Sequence, residues 1–268
     1  MFFCDLAVAR RLEALEAFAC RDTAHTLQRL RPKLSAAEES IAGGWAVFTG
    51  VGSPISEARG LGMAGPVTEG DMERLEAFYH SRADGIRIEV SPMADPSLHQ
   101  LLGKRGYRVC EFSNMLVRAL APGETFSDHP PGVATRPAEP SEGPLWAETV
   151  GRSFAEYVAV TEELLDMMSC WVHSTIGVCY LGTVGGEVAG VAAFVPHEGV
   201  ALFGGAATLP QFRRRGVQTA LLQARLAHAV SAGCDMAMTV TLPGSGSQRN
   251  CERLGFRVLY TRAKFTHD

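Results

Sequence analysis

The chain contains two segments with the same order of features, and this internal repeat constrains the fold more than any other pattern. Each segment ends in a glycine, an aromatic residue and an Arg-Val pair, followed by an alternating strand pattern, as in 104-KRGYRVCEFSNMLVRAL-120 and 253-RLGFRVLYTRAKF-265. Each ending follows a helical pattern and a short apolar strand, at 71–85 and 86–90 in the first copy and at 217–232 and 236–240 in the second. We therefore predict two copies of one α/β unit.

A proline-rich stretch separates the two copies. Residues 121–144 contain six of the fourteen prolines in the chain, and proline lacks the amide N–H that helices and sheet interiors use. We predict a linker at 121–131, a first domain at 1–120 and a second domain at 132–268.

The second copy has the clearer pattern. Its elements are predicted in the order strand, strand, loop, helix, strand, helix, strand, which implies a mixed sheet. The segments are strands at 186–195 and 199–208, a helix at 217–232, a strand at 236–241, a short helix at 247–254 and a last strand from 257. Two helical patterns precede them, at 145–154 and 161–174, and would cover one face or one end of the sheet.

The composition is that of an ordinary globular protein. With 46% hydrophobic and 20% charged residues, the chain can bury a core. A formal net charge of −4 argues against a broad basic face for nucleic acid. The seven cysteines are odd in number and lack zinc spacing, and no apolar run approaches the roughly 18 residues of a membrane span. We expect a cytoplasmic protein, monomeric or homodimeric, without metal, membrane or nucleic-acid partners.

Positive charge is concentrated where the longest helix of the second copy begins. Arg213, Arg214 and Arg215 run directly into Gly216, and the apolar helical pattern starts after that glycine. The first N–H groups of a helix have no partner within the helix and carry the positive end of its dipole. A glycine lets an anion approach this backbone closely. The stretch therefore predicts a phosphate cradle, although an isolated run of this kind is more often a solvated basic turn.

Taken together, these elements resemble the GNAT superfamily of acyl-CoA-dependent N-acyltransferases. The pyrophosphate loop of that family has Gln or Arg, two residues, Gly, one residue, and then Gly or Ala. Here the match is Arg213, Gly216 and Gln218, with the helix and the Gly-Phe ending in the expected order. The resemblance covers 132–268 in detail and the first half only as a degenerate copy. Gln218 departs from the family pattern, and its side chain could fold over the phosphates or narrow the loop.

The resemblance implies an α/β fold of two GNAT-like units, each with a central mixed, mostly antiparallel sheet flanked by helices. It implies acetyl-CoA as co-substrate and no metal. The backbone around Ala207, Thr208 and Leu209 would lie along the pantetheine arm and donate to the thioester oxygen. The remaining residues predicted to bind the cofactor are Arg213, Arg214, Arg215, Gly216, Val217, Gln218, Thr219, Asn250 and Arg253.

The sequence matches the family less well at the catalytic positions than at the pyrophosphate loop. Family members often place a tyrosine four residues before the Gly-Phe glycine, as proton donor to the leaving thiolate, and here that position is Cys251. The usual asparagine falls on Gly244. Tyr260 in the last strand is a possible substitute donor. The strand at 200–207 contains no acid, so the general base is open, with Glu156, Tyr157 and His173 as candidates.

The equivalent loop of the first copy has no arginine run. Glu69 and Asp71 stand where phosphate charge would lie, so we expect this copy to bind no CoA, and to shape the substrate cleft or to serve only as structure.

Two functions remain open. The chain is an N-acetyltransferase that moves an acetyl group to a primary amine of a small molecule or peptide by direct attack, or it is a degenerate acyl-CoA-binding module that senses or scaffolds. The intact loop favours the enzyme, and the missing tyrosine and base favour the module.

Overall fold

The computed structural model describes residues 3–126, 130–155 and 160–267. Within these ranges it contains seven α-helices and eleven β-strands. The helices are α1 Leu6–Leu30, α2 Glu69–His80, α3 Pro96–Lys104, α4 Gly143–Phe154, α5 Glu162–Ser169, α6 Val217–Ser231 and α7 Gly246–Arg253. The strands are β1 Ala37–Ile41, β2 Gly44–Phe48, β3 Ala58–Arg59, β4 Ile86–Val90, β5 Arg108–Ala119, β6 Val133–Pro137, β7 Val178–Val184, β8 Glu187–His197, β9 Val200–Thr208, β10 Met236–Thr241 and β11 Arg257–His267.

The chain divides into two compact units. The first unit comprises Met1–Leu116, Thr241–Ser245 and Val258–Asp268, and the second comprises Val117–Val240 and Gly246–Arg257. This division differs from the linear one expected from the sequence, because most of β11 groups with the first unit. The reason is strand pairing: β11 runs antiparallel to β4, with Phe265 opposite Ile88.

Both units use the same strand arrangement. In the first unit β1 and β2 pair antiparallel, β2 and β3 antiparallel, and β3 and β4 parallel. In the second unit β7, β8, β9 and β10 repeat this sequence of two antiparallel pairs and one parallel pair. The prediction of mixed, mostly antiparallel sheets in two related units is confirmed.

Helix α6 packs against the sheet of the second unit through an apolar face. Val217, Ala220 and Leu221 are buried, as the spacing of three and four residues predicts for one side of a helix. Gly182 on β7 lies under this face, where an added Cβ would meet Leu221 and Val217 at 3.2 Å. This close contact fixes where the helix begins over the sheet. Among the described helices, none has both the length and the hydropathy to cross a bilayer.

A buried ion cluster ties β11 to the first unit. Arg262 is 1% exposed, and its Nη1 pairs with Glu13 Oε2 at 3.2 Å and with Glu16, both on α1. The Tyr260 hydroxyl donates to Glu13 Oε1 at 2.8 Å. Burial raises the pKa of Glu13, and the Arg262 charge opposes that rise. Arg59 Nη1 also pairs with Glu16 Oε1 at 3.1 Å, so Glu13 is the carboxylate of this cluster whose cationic partner is the Arg262 guanidinium.

Replacing that guanidinium should destabilise the first unit. Arg262→Met leaves the buried Glu13 carboxylate without its cationic partner, and we expect a loss of about 3–5 kcal/mol in the free energy of unfolding, measured by denaturant titration. The control is Arg136→Met, which breaks an exposed pair with Glu142 and should change the free energy by less than about 1 kcal/mol. Equal effects of the two variants would contradict a structural role for the buried cluster.

Candidate functional site

The loop between β9 and α6 leaves the start of the helix open. After a short 3-10 turn at Pro210–Phe212, two residues adopt positive φ, Arg214 at 64° and Gly216 at 84°. Gly216 is the N-cap of α6 and supplies no side-chain hydrogen bond to the first turn. The N–H groups at the start of α6 are therefore not capped by a side chain of the chain itself, which is the arrangement that binds anions.

Gly216 is required by both conformation and space. Its φ of +84° is unfavourable for residues with a Cβ, and an added Cβ would lie 2.6 Å from Pro130 Cγ. Any side chain at this position must displace the loop or the chain around Pro130.

The loop opens onto a cleft of about 740 Å³, here called the arginine cleft. Its walls come from α4, the end of β9, the loop, the first turn of α6, and α7. The lining residues are Ser153, Phe154, Ala206, Ala207, Thr208, Phe212, Arg213, Arg214, Gly216, Val217, Gln218, Thr219, Gly246, Ser247, Arg249, Asn250 and Arg253. Four of these residues are arginines and none is an acid, so the described lining has a strongly positive potential.

The structure brings together all of the predicted cofactor residues except Leu209 and Arg215. The N–H of Leu209 donates to the Ala189 carbonyl at 2.9 Å, so it is already used within the sheet. The Arg215 guanidinium lies 5.5 Å from the centre of the Phe212 ring. Ala207 and Thr208 remain as the strand residues that line the arginine cleft.

Some residues of the cleft were missed by the sequence analysis. Arg249 lines it together with Arg253, and their spacing of four residues on a helix is a signal that could have indicated one shared face. Ser153 and Phe154 also line it, and the Ser153 carbonyl accepts a hydrogen bond from Arg213 Nη2 at 3.1 Å. No motif marks these two residues in the sequence.

Gln218 does not fold over the loop. Its side-chain Oε1 accepts a hydrogen bond from the Asn250 amide on α7. This contact directs the long side chain towards α7 and links the first turn of α6 to the helix that carries Arg249 and Arg253. Gln218, which departs from the family pattern, thus links two walls of the cleft through its side chain.

Two of the three predicted catalytic residues lie in the described part of the chain, and neither of them lines the arginine cleft. Cys251 is buried, and burial raises the pKa of its thiol to about 11. Tyr260 groups with the first unit and has Glu13 as hydrogen-bond acceptor, while burial raises the pKa of its hydroxyl. Glu156 and the alternative Tyr157 lie outside the described residues.

Strand β9 has a bulge next to the cleft. Its register against β8 pairs Val191 with Ala207 but Ala193 with Gly204, so two residues of β9, Gly205 and Ala206, face one residue of β8. Gly205 has a φ of +55°, and an added Cβ would lie 3.0 Å from the rings of both Trp146 and Trp171. The tryptophans and the positive φ together fix the shape of this bulge.

Adjacent glycines provide a direct test of the bulge. Gly205→Ala should lower the free energy of unfolding by about 1–3 kcal/mol, because the methyl group meets two rings and the backbone conformation is unfavourable. It should also change the tryptophan fluorescence. Gly204→Ala is the control, since its Cβ would have no heavy atom within 4 Å. If both variants behave alike, the bulge geometry is not as described.

The equivalent helix start in the first unit is closed. The Thr68 side chain accepts from the Asp71 N–H, and the Asp71 side chain accepts from the Thr68 N–H, which forms a capping box at the start of α2. Glu69 beside it pairs with Lys104 and Arg105. The two units thus have the same helix in the same order, but only α6 has an N-cap without a side chain.

A comparison with known protein families finds a match around this site. Residues 146–256 match the family model described as the acetyltransferase (GNAT) family. This part of the chain is therefore similar to GNAT acetyltransferase domains, and the loop between β9 and α6, here called the arginine loop, lies inside the matched region together with α6. No curated protein matches the chain.

Solved structures extend the likeness in fold to nearly the whole chain. A GCN5-related N-acetyltransferase from Kribbella flavida is 18% identical, with a TM-score of 0.65 over 92% of this chain and 95% of that chain. A tandem GNAT protein from the clavulanic acid biosynthesis pathway is 15% identical, with a TM-score of 0.62 over 98% of this chain and 94% of that chain. A GCN5-related N-acetyltransferase from Sphaerobacter thermophilus is 16% identical, with a TM-score of 0.58, and covers 99% and 94%. The fold is that of tandem GNAT proteins.

Proposed function

We propose that the second unit binds acetyl-CoA and transfers its acetyl group to a primary amine of a small molecule or peptide. One observation carries this proposal: the uncapped start of α6 opens into a cleft lined by four arginines, within the part of the chain that matches the GNAT acetyltransferases. An anion held there gains from the helix dipole and from charge-assisted hydrogen bonds.

The cleft residues fit a CoA pyrophosphate. The N–H groups of Val217, Gln218 and Thr219 in the first turn of α6 would donate to phosphate oxygens. Arg213 and Arg214 would add positive charge on the loop side, and Arg249 and Arg253 on the side of α7. Thr208 and Ala207, at the end of β9, would lie along the pantetheine arm.

Bound acetyl-CoA would supply a thioester whose carbonyl carbon forms a bond to the amine nitrogen while the C–S bond breaks and its electron pair leaves with sulfur. The chain has to hold the thioester beside β9 and exclude water from it. Ala207 and Thr208 would position the carbonyl oxygen near backbone donors. The attacking amine must be neutral, and its extra proton leaves to solvent or to a base.

The fit of the phosphate can be tested at Gly216. Gly216→Val should raise the Kd for CoA by at least about tenfold in calorimetry. Valine disfavours the positive φ of this position, and its side chain would collide with Pro130. The matched control is Gly233→Val at the other end of α6, where φ is +75° and an added Cβ meets no atom within 4 Å. Unchanged CoA affinity in Gly216→Val would refute the phosphate assignment.

We propose direct attack of the amine, without an acyl-enzyme. A nucleophilic cysteine needs a lowered pKa, whereas the pKa of Cys251 is raised by burial to about 11, so the group is a neutral thiol at pH 7. Cys251→Ala should therefore keep more than about half of the wild-type rate. Mass spectrometry of the enzyme after incubation with acetyl-CoA alone should show no acetylated Cys251 peptide. Stoichiometric acetylation that disappears on adding amine would overturn direct transfer.

A second candidate function is an acyl-CoA-binding sensor or scaffold. It is favoured by the chemistry of the arginine cleft, whose described lining contains no carboxylate or imidazole that could act as a base. Thiol release from acetyl-CoA in the presence of a panel of primary amines separates the two functions. Release that depends on one amine supports the enzyme, and tight CoA binding with no release for any amine supports the sensor. We propose the cytoplasm as the site of action for both.

A further inference from the structure

A buried arginine lies behind the bulge of β9. Arg225, on α6, is 1% exposed. Its Nη1 donates to the carbonyl oxygen of Ala193 at 3.0 Å and to that of Gly204 at 3.4 Å, and its Nε donates to the Leu221 carbonyl at 3.1 Å. The guanidinium carbon lies 4.6 Å from the centre of the Phe203 ring. A charged side chain in such a position is unusual unless it has a partner of opposite charge.

Arg225 has no such partner in the described part of the chain. Within the described residues its hydrogen bonds all go to backbone carbonyls, and no carboxylate influences its ionisation. Burial lowers its pKa to about 10, which still leaves the group protonated at neutral pH. The positive charge is therefore stabilised by carbonyl dipoles and by the ring face of Phe203.

The two carbonyls that share Nη1 belong to the bulge itself. Ala193 and Gly204 are the register pair that closes the bulge on one side. The carbonyl of Gly204 and the N–H of Gly205 are parts of one trans peptide group, so they point in opposite directions. A cation at the carbonyl oxygen withdraws electron density from the peptide and makes its N–H a stronger donor.

We propose that Arg225 is a positioning residue, which braces the bulge of β9 and polarises its peptide groups towards the acyl group that the second unit would transfer. This inference rests on the proposed function. When the amine attacks, the electron pair of the carbonyl moves to oxygen, and it returns as the C–S bond breaks and sulfur leaves with its pair. Both anionic atoms would lie near the bulge, where a buried positive charge is poorly screened.

This role explains how the chain could work without the family tyrosine. Cys251 occupies the position of that proton donor, and burial raises the pKa of its thiol to about 11. A fixed positive charge behind β9 lowers the free energy of the thiolate and of the oxyanion without moving a proton. The charge of Arg225 thus takes over part of the stabilisation that a proton donor would give.

Two variants test the charge of Arg225. Arg225→Lys keeps a positive charge on a shorter side chain. Arg225→Gln is neutral, and its amide ends near the position of Nε, short of the two carbonyls that Nη1 contacts. The first readout is the carbonyl carbon resonance of [1-13C]acetyl-CoA, which we expect to move downfield on binding to the wild type. Arg225→Lys should keep most of that movement, and Arg225→Gln should lose at least about half of it. CoA affinity by calorimetry should change less than about threefold in both variants.

The second readout is amine-dependent thiol release with the acceptor found in the panel. We expect kcat to fall by about 10–100-fold in Arg225→Gln and by much less in Arg225→Lys, with little change in KM for acetyl-CoA. Equal behaviour of the two variants in the resonance would overturn the proposal, and so would a loss of CoA binding in both, which indicates a structural role alone. If the wild type itself does not bind CoA, the proposed function fails first, and the variants are not needed to reach that conclusion.

Discussion

Most of the inferred chemistry depends on the free N–H groups at the first turn of α6. A helix start needs partners for these groups, and a side chain from the N-cap residue usually supplies them. Gly216 has no side chain that could supply such a partner. The donors that it leaves open are surrounded by the end of β9, the arginine loop and α7. The same residue cannot accept a side chain because of Pro130. One glycine therefore sets the backbone shape at the start of α6 and keeps its first N–H groups accessible.

The two units show how little change separates the proposed phosphate cradle from an ordinary helix start. They share the order of strands and helices and the same alternation of antiparallel and parallel pairs. In the first unit, Thr68 and Asp71 satisfy the N–H groups that α6 leaves open. An anion would have to displace that capping box and approach the acid Glu69. The difference between the two helix starts thus lies at the cap, where Thr68 and Asp71 close the start of α2 and Gly216 leaves that of α6 open.

Elements whose bounds depend on local periodicity could be predicted from the sequence. The pairing of segments that are distant in the chain could not. The bounds of α6 and β10 and the turn between β8 and β9 follow from apolar spacing and glycine positions, and the structure has them within a few residues. The pairing of β11 with β4 does not follow, since its alternating pattern would fit several neighbours. The burial of Arg225 could not be predicted for a related reason. An arginine on a helix is normally solvated, and only the packing of the structure shows that this one is buried. Likewise, no local signal directs Gln218 to Asn250.

The assignment of β11 to the first unit has a consequence for the order in which the protein is made. Ribosomes synthesise a chain from its N-terminus, so residues 1–116 emerge well before Arg262 exists. Until then Glu13 on α1 lacks its Arg262 partner, and β4 lacks its antiparallel neighbour. The unpaired edge of β4 is open to wrong pairing during that interval. The first unit thus begins to be translated before the second, but it is complete only when β11 has been made.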